Sequence, residues 1–324
     1  MRIRPVPVLL CLALAFGGGG VARADDEAAE ARASFEATLR QAQHGDAGRY
    51  VDLAMLYLRG EGVARDVPQA LAWLRKGVAG GDTDAMVELG NIYFDGDDGV
   101  PADRRAALKL YAQAARLGDP NGMYNIGVVH EGGGGIPENP RLASAWYLKA
   151  AAAGSSRGAY SAGESYLNGY GVRTDLAKGV QMLRRAIEMG SPDAMNAMGG
   201  LHAKGTGVRR DPAEALKFYT AAAANDLPAG MSNLGVVHHN GEGVPVNYTQ
   251  AIHWFQLAAD RGYLEAWYDL GVMVERGQGI RADDDLALVL YRRAAESKDT
   301  DLRQRAQKAI DRLEGVDEDE TPIG

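Results

Sequence analysis

A chain of 324 residues, 46% hydrophobic and 24% charged, is long enough for two ordinary domains or one long repeat array. Apolar content this high builds a core, which excludes disorder, and 42 glycines with only 12 prolines exclude collagen-like and low-complexity polymers. A formal charge of −8 argues against a nucleic-acid binder held by phosphate contacts.

The chain opens on a leader pattern. Arg2 and Arg4 give a positive n-region, Val8 to Phe16 an apolar run too short to span a bilayer, and Ala22-Arg23-Ala24 an A-x-A cleavage signal before Asp25-Asp26. Residues 1–24 therefore read as a signal peptide cut after Ala24, and the protein as periplasmic or secreted. The rival reading, a short buried helix, packs poorly at a terminus that carries Gly17 to Gly20. Cleavage would leave 32 basic and 43 acidic side chains and would remove Cys11, the only cysteine. No disulfide, thiol nucleophile or cysteine-ligated metal would remain. No later segment approaches 18 continuous apolar residues, so no transmembrane segment is expected in the mature chain.

Residues 25–44 are expected as an N-terminal capping helix, with Phe35, Leu39 and Gly45 in register with the second helix of a pair. A repeat then takes over. A glycine before Val or Ile recurs at Gly62, Gly99, Gly135, Gly171, Gly207, Gly243 and Gly279, 36 or 37 residues apart. Four residues after each comes Asp or Asn, from Asp66 to Asp283, and four later a small residue, such as Ala70 or Ala107. Upstream, Ala54 is followed at the same interval by Gly90, Gly127, Gly163, Gly199, Gly235 and Gly271. Each copy reads as two helices. The Asp or Asn caps the second, whose apolar face includes Ala143, Trp146, Tyr147, Ala150 and Ala151 in the third copy. Glycines such as Gly81, Gly118, Gly154, Gly190 and Gly262 end it. The copies span about residues 45–81, 82–118, 119–154, 155–190, 191–226, 227–262 and 263–299. No single pair hides its apolar face, whereas stacked pairs share one core, so the expected fold class is an all-α solenoid. Residues 300–313, with Leu302, Ala306, Ile310 and Leu313 on one side, are expected as a C-terminal capping helix, and 314–324 as an acidic disordered tail.

The string LGNIYFDG at Leu89 to Gly96, followed by Gly99-Val100, Asp103, Ala107 and Ala114-Ala115, resembles the Sel-1-like repeat, a relative of the tetratricopeptide repeat. Leu234 to Gly262 resembles it equally, and the likeness covers about residues 45–298. The resemblance implies an α/α superhelix whose first helices line a concave side, and an adaptor that binds proteins or peptides. It also implies that some secreted bacterial members act at the cell envelope. A cysteine-rich subgroup has been credited with β-lactamase activity; this chain lacks those cysteines, so that activity does not carry over.

Several motifs have plainer readings. Gly154 to Gly158 matches G-x-S-x-G but follows a helix, not the strand a nucleophile elbow needs. Gly169-Tyr170-Gly171 and Gly205-Thr206-Gly207 lack the third glycine of a phosphate loop. His130, His202 and His238 share a slot with Tyr57, Tyr93 and Tyr166, and read as packing rather than as metal ligands. Neither a metal nor a cofactor is expected, and no catalytic constellation is present, so an enzyme is not expected. Asn247-Tyr248-Thr249 reads as a helix cap.

Helical geometry gives a candidate binding face. With Gly90 as slot 0 of the first helix, slots −6, −3, +1 and +4 cluster opposite the small and apolar slots. Slot −3 holds Val51, Val87, Tyr124, Tyr160, Asn196, Ser232 and Tyr268; slot +1 includes Asn91 and Glu164. Tyr124, Tyr160 and Tyr268 are the expected anchors, and Asn91, Asn196 and Glu164 the expected hydrogen-bonding groups, for a protein or peptide in a concave groove. The rival classes are a cell-envelope glycan-binding module, using the same Tyr and Asn, and an envelope hydrolase.

Overall fold

The computed structural model describes residues 20–132 and 135–315, with side chains from Asp26 onward. Most of the expected leader and of the expected acidic tail lies outside these residues. Helix α1 (Gly20–Gln43) starts before the expected cut and is followed by a short 3-10 turn, Ala47–Arg49. Two kinds of helix then alternate. The A helices are α2 (Tyr50–Arg59), α4 (Thr83–Asp95), α6 (Pro120–Gly132), α8 (Ser156–Asn168), α10 (Pro192–Lys204), α12 (Pro228–Asn240) and α14 (Leu264–Glu275). The B helices are α3 (Val67–Ala79), α5 (Arg104–Arg116), α7 (Pro140–Ala152), α9 (Leu176–Glu188), α11 (Pro212–Ala224), α13 (Tyr248–Asp260) and α15 (Asp284–Ala294). Helix α16 (Thr300–Glu314) follows. The chain forms two compact units, residues 1–138 and 139–324, and within each every helix packs on the next. The fold is all-α and built from successive helix pairs.

The B helices start where the sequence places their caps. Asp66, Asn139, Asp175, Asn247 and Asp283 each accept the N–H three residues on, and Asp103 and Asp211 accept two N–H groups each. The same residues close the loop behind them. The Asp103 N–H donates to the Tyr93 carbonyl at 2.7 Å, Asp211 to His202 at 2.9 Å and Asn247 to His238 at 2.8 Å. One residue thus anchors a loop to its A helix and opens the B helix.

The glycine slot on the A helices brings two helices into direct contact. A methyl group on Gly90 would lie 2.5 Å from Tyr111 Cε1, and one on Gly199, Gly235 or Gly271 would lie 2.6 Å from Tyr219, Phe255 or Tyr291. The missing side chain makes room for an aromatic ring of the partner B helix, and Tyr111, Tyr147 and Tyr291 are each no more than 2% exposed. The loop glycine does similar work against the preceding repeat. Gly171 has φ 69°, and a Cβ there would fall 1.9 Å from the Pro140 carbonyl oxygen. Ser144, also on α7, donates its hydroxyl to the Tyr170 carbonyl, which pins the same loop. Where the B-helix glycine is missing in the fifth copy, Asp226 takes its left-handed conformation at φ 61°.

One core expectation changes. Trp146 is only half-buried, with Lys149 Nζ 4.0 Å above its ring, whereas its neighbour Tyr147 is fully buried. One residue is a 100° turn, and the helix aims Tyr147 rather than Trp146 at the core.

Candidate functional site

The six candidate residues all lie on A helices, and the structure gives them different surroundings. In the first unit Asn91 on α4 is half-buried at the centre of a polar cluster. Its Oδ1 accepts the Tyr111 hydroxyl at 2.8 Å and the Nδ2 of Asn125, on α6, at 3.0 Å; its own Nδ2 donates to Glu88 at 3.3 Å. In the second unit Asn196 Oδ1 accepts Asn233 Nδ2 at 2.8 Å. Both asparagines therefore link one A helix to the A helix of the next repeat, and their acceptor oxygens are engaged within the fold.

Glu164 on α8 is half-buried, with an amide hydrogen bond from Asn168 at 3.2 Å. Burial raises its pKa, and the Asn168 donor opposes this only in part. Tyr124 and Tyr160 are half-buried on α6 and α8. Tyr268 on α14 has its ring 5.5 Å from that of Tyr291 and under the Arg305 guanidinium of α16 at 5.0 Å. Slot −3 is not uniform, since Val87 and Ser232 are each only 6% exposed. The face accepts tyrosine where it opens and closes over small residues elsewhere.

Beside Tyr268 lies a charged cluster that the slot analysis passed over. Arg305 donates to Glu265 at 2.8 Å, and Asp269 sits one turn further along α14. Burial, then the Glu265 charge, pushes the Asp269 carboxyl up to about 7, against opposing pulls from Arg305 and His239. Asp269, Asn125 and Asn233 share slot −2 with Glu88, so writing out that slot would have exposed the pattern.

The serine and histidine motifs lie within the helical frame. In Gly154 to Gly158 the serine at the nucleophile position, Ser156, is the first residue of α8 and half-buried, and Ser155 before it is 6% exposed and caps the helix, its Oγ accepting the Gly158 N–H at 3.0 Å. His202 stacks on Phe218 with 5.6 Å between ring centres, and the Nδ1 atoms of His130, His202 and His238 are buried without a hydrogen-bond partner. Among the described residues no group of three or more His, Cys, Asp or Glu is placed to hold a metal ion, and no helix is long and apolar enough to cross a membrane.

These features define an α-helical repeat protein whose candidate residues lie on the A helices of each unit. Seven consecutive Sel1 repeat matches cover residues 50–82, 83–119, 120–155, 156–191, 192–227, 228–263 and 264–299, and the chain belongs to the Sel1 repeat family. Among solved structures it is similar to the Sel1 repeat protein from Oxalobacter formigenes, at 26% identity and TM-score 0.64, over 89% of this chain and 87% of that one. It is also similar to c5321, a protective antigen of uropathogenic Escherichia coli with an SLR fold, at 30% identity and TM-score 0.63. That match covers 86% of this chain but only 59% of the antigen. Yeast Tom70 shares the fold at TM-score 0.52 and 17% identity. No curated protein matches the chain. Sel1 and related repeats generally mediate protein–protein interaction, and Sel1 scaffolds are typically non-catalytic.

Proposed function

We propose that the protein is a scaffold that binds a protein or peptide through the outward face of its A helices, after export by a leader cut at Ala24. The observation that supports this reading is the recurrence of half-buried Tyr124, Tyr160 and Tyr268 in one helical slot, where Tyr160 and Tyr268 rest on the core and keep part of their surface exposed. A tyrosine so placed offers rigid amphipathic area at low entropic cost. Val236, one of the few large apolar side chains that stay exposed, lies on the same face at slot +1 of α12.

Site-specific photocrosslinking tests the face. A photoreactive residue at Val236, on an A helix, is expected to capture a partner, and one at the equally exposed Leu142, on a B helix, is not. Capture from Leu142 alone would move the binding face to the B layer. Export is read separately by mass spectrometry. Native protein beginning at Asp25 outside the cytoplasm is expected, and cytoplasmic protein retaining Met1 would contradict it.

A further inference from the structure

The loop of the third repeat does not pack as most of the others do. A Cβ on Gly62 would lie 2.2 Å from α1, and one on Gly171, Gly207, Gly243 or Gly279 between 1.9 and 3.1 Å from the preceding B helix. Around Gly135, at φ 92°, nothing lies within 4 Å of such a Cβ, so this loop stands off from α5. Gly99 is also clear, but its loop is one residue longer and is bonded across itself between Asp97 and Val100.

Where the third loop stands off, a groove of about 430 Å³ opens within the first unit. Leu108 and Ala112 of α5 line it with Ile136 and Pro137 of the loop, and Arg105 and Lys109 complete the lining. Positions 105, 108, 109 and 112 share one face of the helix. Leu108 and Ala112 on that face are half-buried, and the two cations are exposed. Helix α5 carries no acid, and among the described residues neither Arg105 nor Lys109 takes part in an ion pair. Glu138, which follows Pro137, is itself exposed.

The chain carries a segment of matching chemistry. Residues 316–324, outside the described residues, read Val-Asp-Glu-Asp-Glu-Thr-Pro-Ile-Gly, and Asp317 to Glu320 is the longest acidic run in the sequence. We infer that residues 316–324 of a second copy of the chain dock in the α5 groove. The segment starts beyond the cap of α16 in the second unit, whereas the groove belongs to the first, so the contact is head-to-tail between copies. Arg105 and Lys109 are about 6 Å apart along α5. Side chains two apart in an extended segment are separated by about 6.6 Å, which lets Glu318 and Glu320 pair with the two cations. Val316 and Pro322 fall on the same side of the segment and meet the apolar wall. This surface belongs to a B helix and is independent of the A-helix face proposed above.

The test is sedimentation of the full chain over a concentration series at low salt. The parent is expected to self-associate, to grow beyond a dimer because the contact is head-to-tail, and to dissociate as salt is raised. A chain ending at Gly315 and the full-length variant Arg105→Glu with Lys109→Glu are each expected to stay monomeric. Mixed together they are expected to form a one-to-one dimer, because one keeps the groove and the other the segment. Arg184→Glu with Arg185→Glu, at two exposed cations of α9, is expected to associate within about twofold of the parent. Equal loss in the two reversed pairs would mean diffuse attraction and would overturn the inference, as would the absence of a mixed dimer. Thermal melting of the Arg105/Lys109 variant at the parent temperature shows that lost association is not unfolding. A fluorescein-labelled peptide of residues 314–324 gives a readout without that variant. It is expected to bind the chain ending at Gly315, and the same peptide carrying Glu318→Lys and Glu320→Lys is not; equal binding of both would overturn the inference. A parent that stays monomeric at every concentration would overturn the second copy. If the peptide then binds the chain ending at Gly315 but not the parent, the segment occupies the groove of its own chain.

Discussion

Single positions in this chain differ in cost for reasons the backbone makes explicit. Gly171 and Gly190 both have φ above +60°, but nothing lies within 4 Å of a Cβ on Gly190, whereas one on Gly171 collides with the Pro140 carbonyl. Gly190→Ala should therefore cost about 1 kcal/mol, the left-handed penalty alone. Gly171→Ala should cost upwards of about 3 kcal/mol, because α7 and the loop must part. Chemical denaturation of the two variants checks the ordering. Tyr147→Ala should cost about 3–5 kcal/mol, and Trp146→Ala clearly less, since Trp146 is only half-buried. That contrast also marks where the sequence stopped being legible. Period 36 and apolar character admitted both residues to the core face, but choosing between side chains 100° apart needs the position of the neighbouring helix. Asp269 brings a pH signature. Its folded pKa of about 7 lies above the unfolded value, so the folded state holds the extra proton between about pH 4 and 7. Stability from this group is highest below pH 4 and falls as pH rises toward 7. Asp269→Asn should remove that fall and stabilise the protein at pH 8 by roughly 2–4 kcal/mol, as thermal melts of parent and variant across pH would show.

At the scale of elements, what was readable was whatever depends on local backbone chemistry. The capping Asp and Asn residues, the glycine after most B helices and the small slot of each A helix each require a residue type at a fixed offset, so the repeat displays them directly. The Asn91–Asn125 and Asn196–Asn233 links were not readable, because they depend on which side chains of adjacent A helices meet. Asn91 and Asn196 seemed free to hydrogen-bond a partner only while their neighbours were unknown. Helix α16 closes the second unit by burying Leu302, Ala306 and Ile310 and by pairing Arg305 with Glu265 and Arg312 with Glu275 of α14. In a stacked array such a loss is felt by the nearest pair first. Truncation after Lys298 should therefore speed amide hydrogen exchange in α14 and α15 while α8 and α9 keep their protection. Uniform loss of protection across the second unit would show cooperativity longer-ranged than nearest-neighbour packing.

For the whole molecule, the division of labour between helix types is the organising fact. B helices carry the aromatic side chains that fill the glycine slots, and most of the cations. A helices carry the glycines and the tyrosines of slot −3. The central claim is that the A-helix face is the recognition surface, and carbodiimide footprinting of carboxylates on the complex with a crosslink-identified partner tests it most directly. The account predicts that the A-helix carboxylates Asp84, Glu88 and Asp95 lose reactivity when the partner is bound while Asp284 and Asp285 of B helix α15 do not change; protection confined to Asp284 and Asp285, with Asp84, Glu88 and Asp95 as reactive as in the free protein, would contradict it.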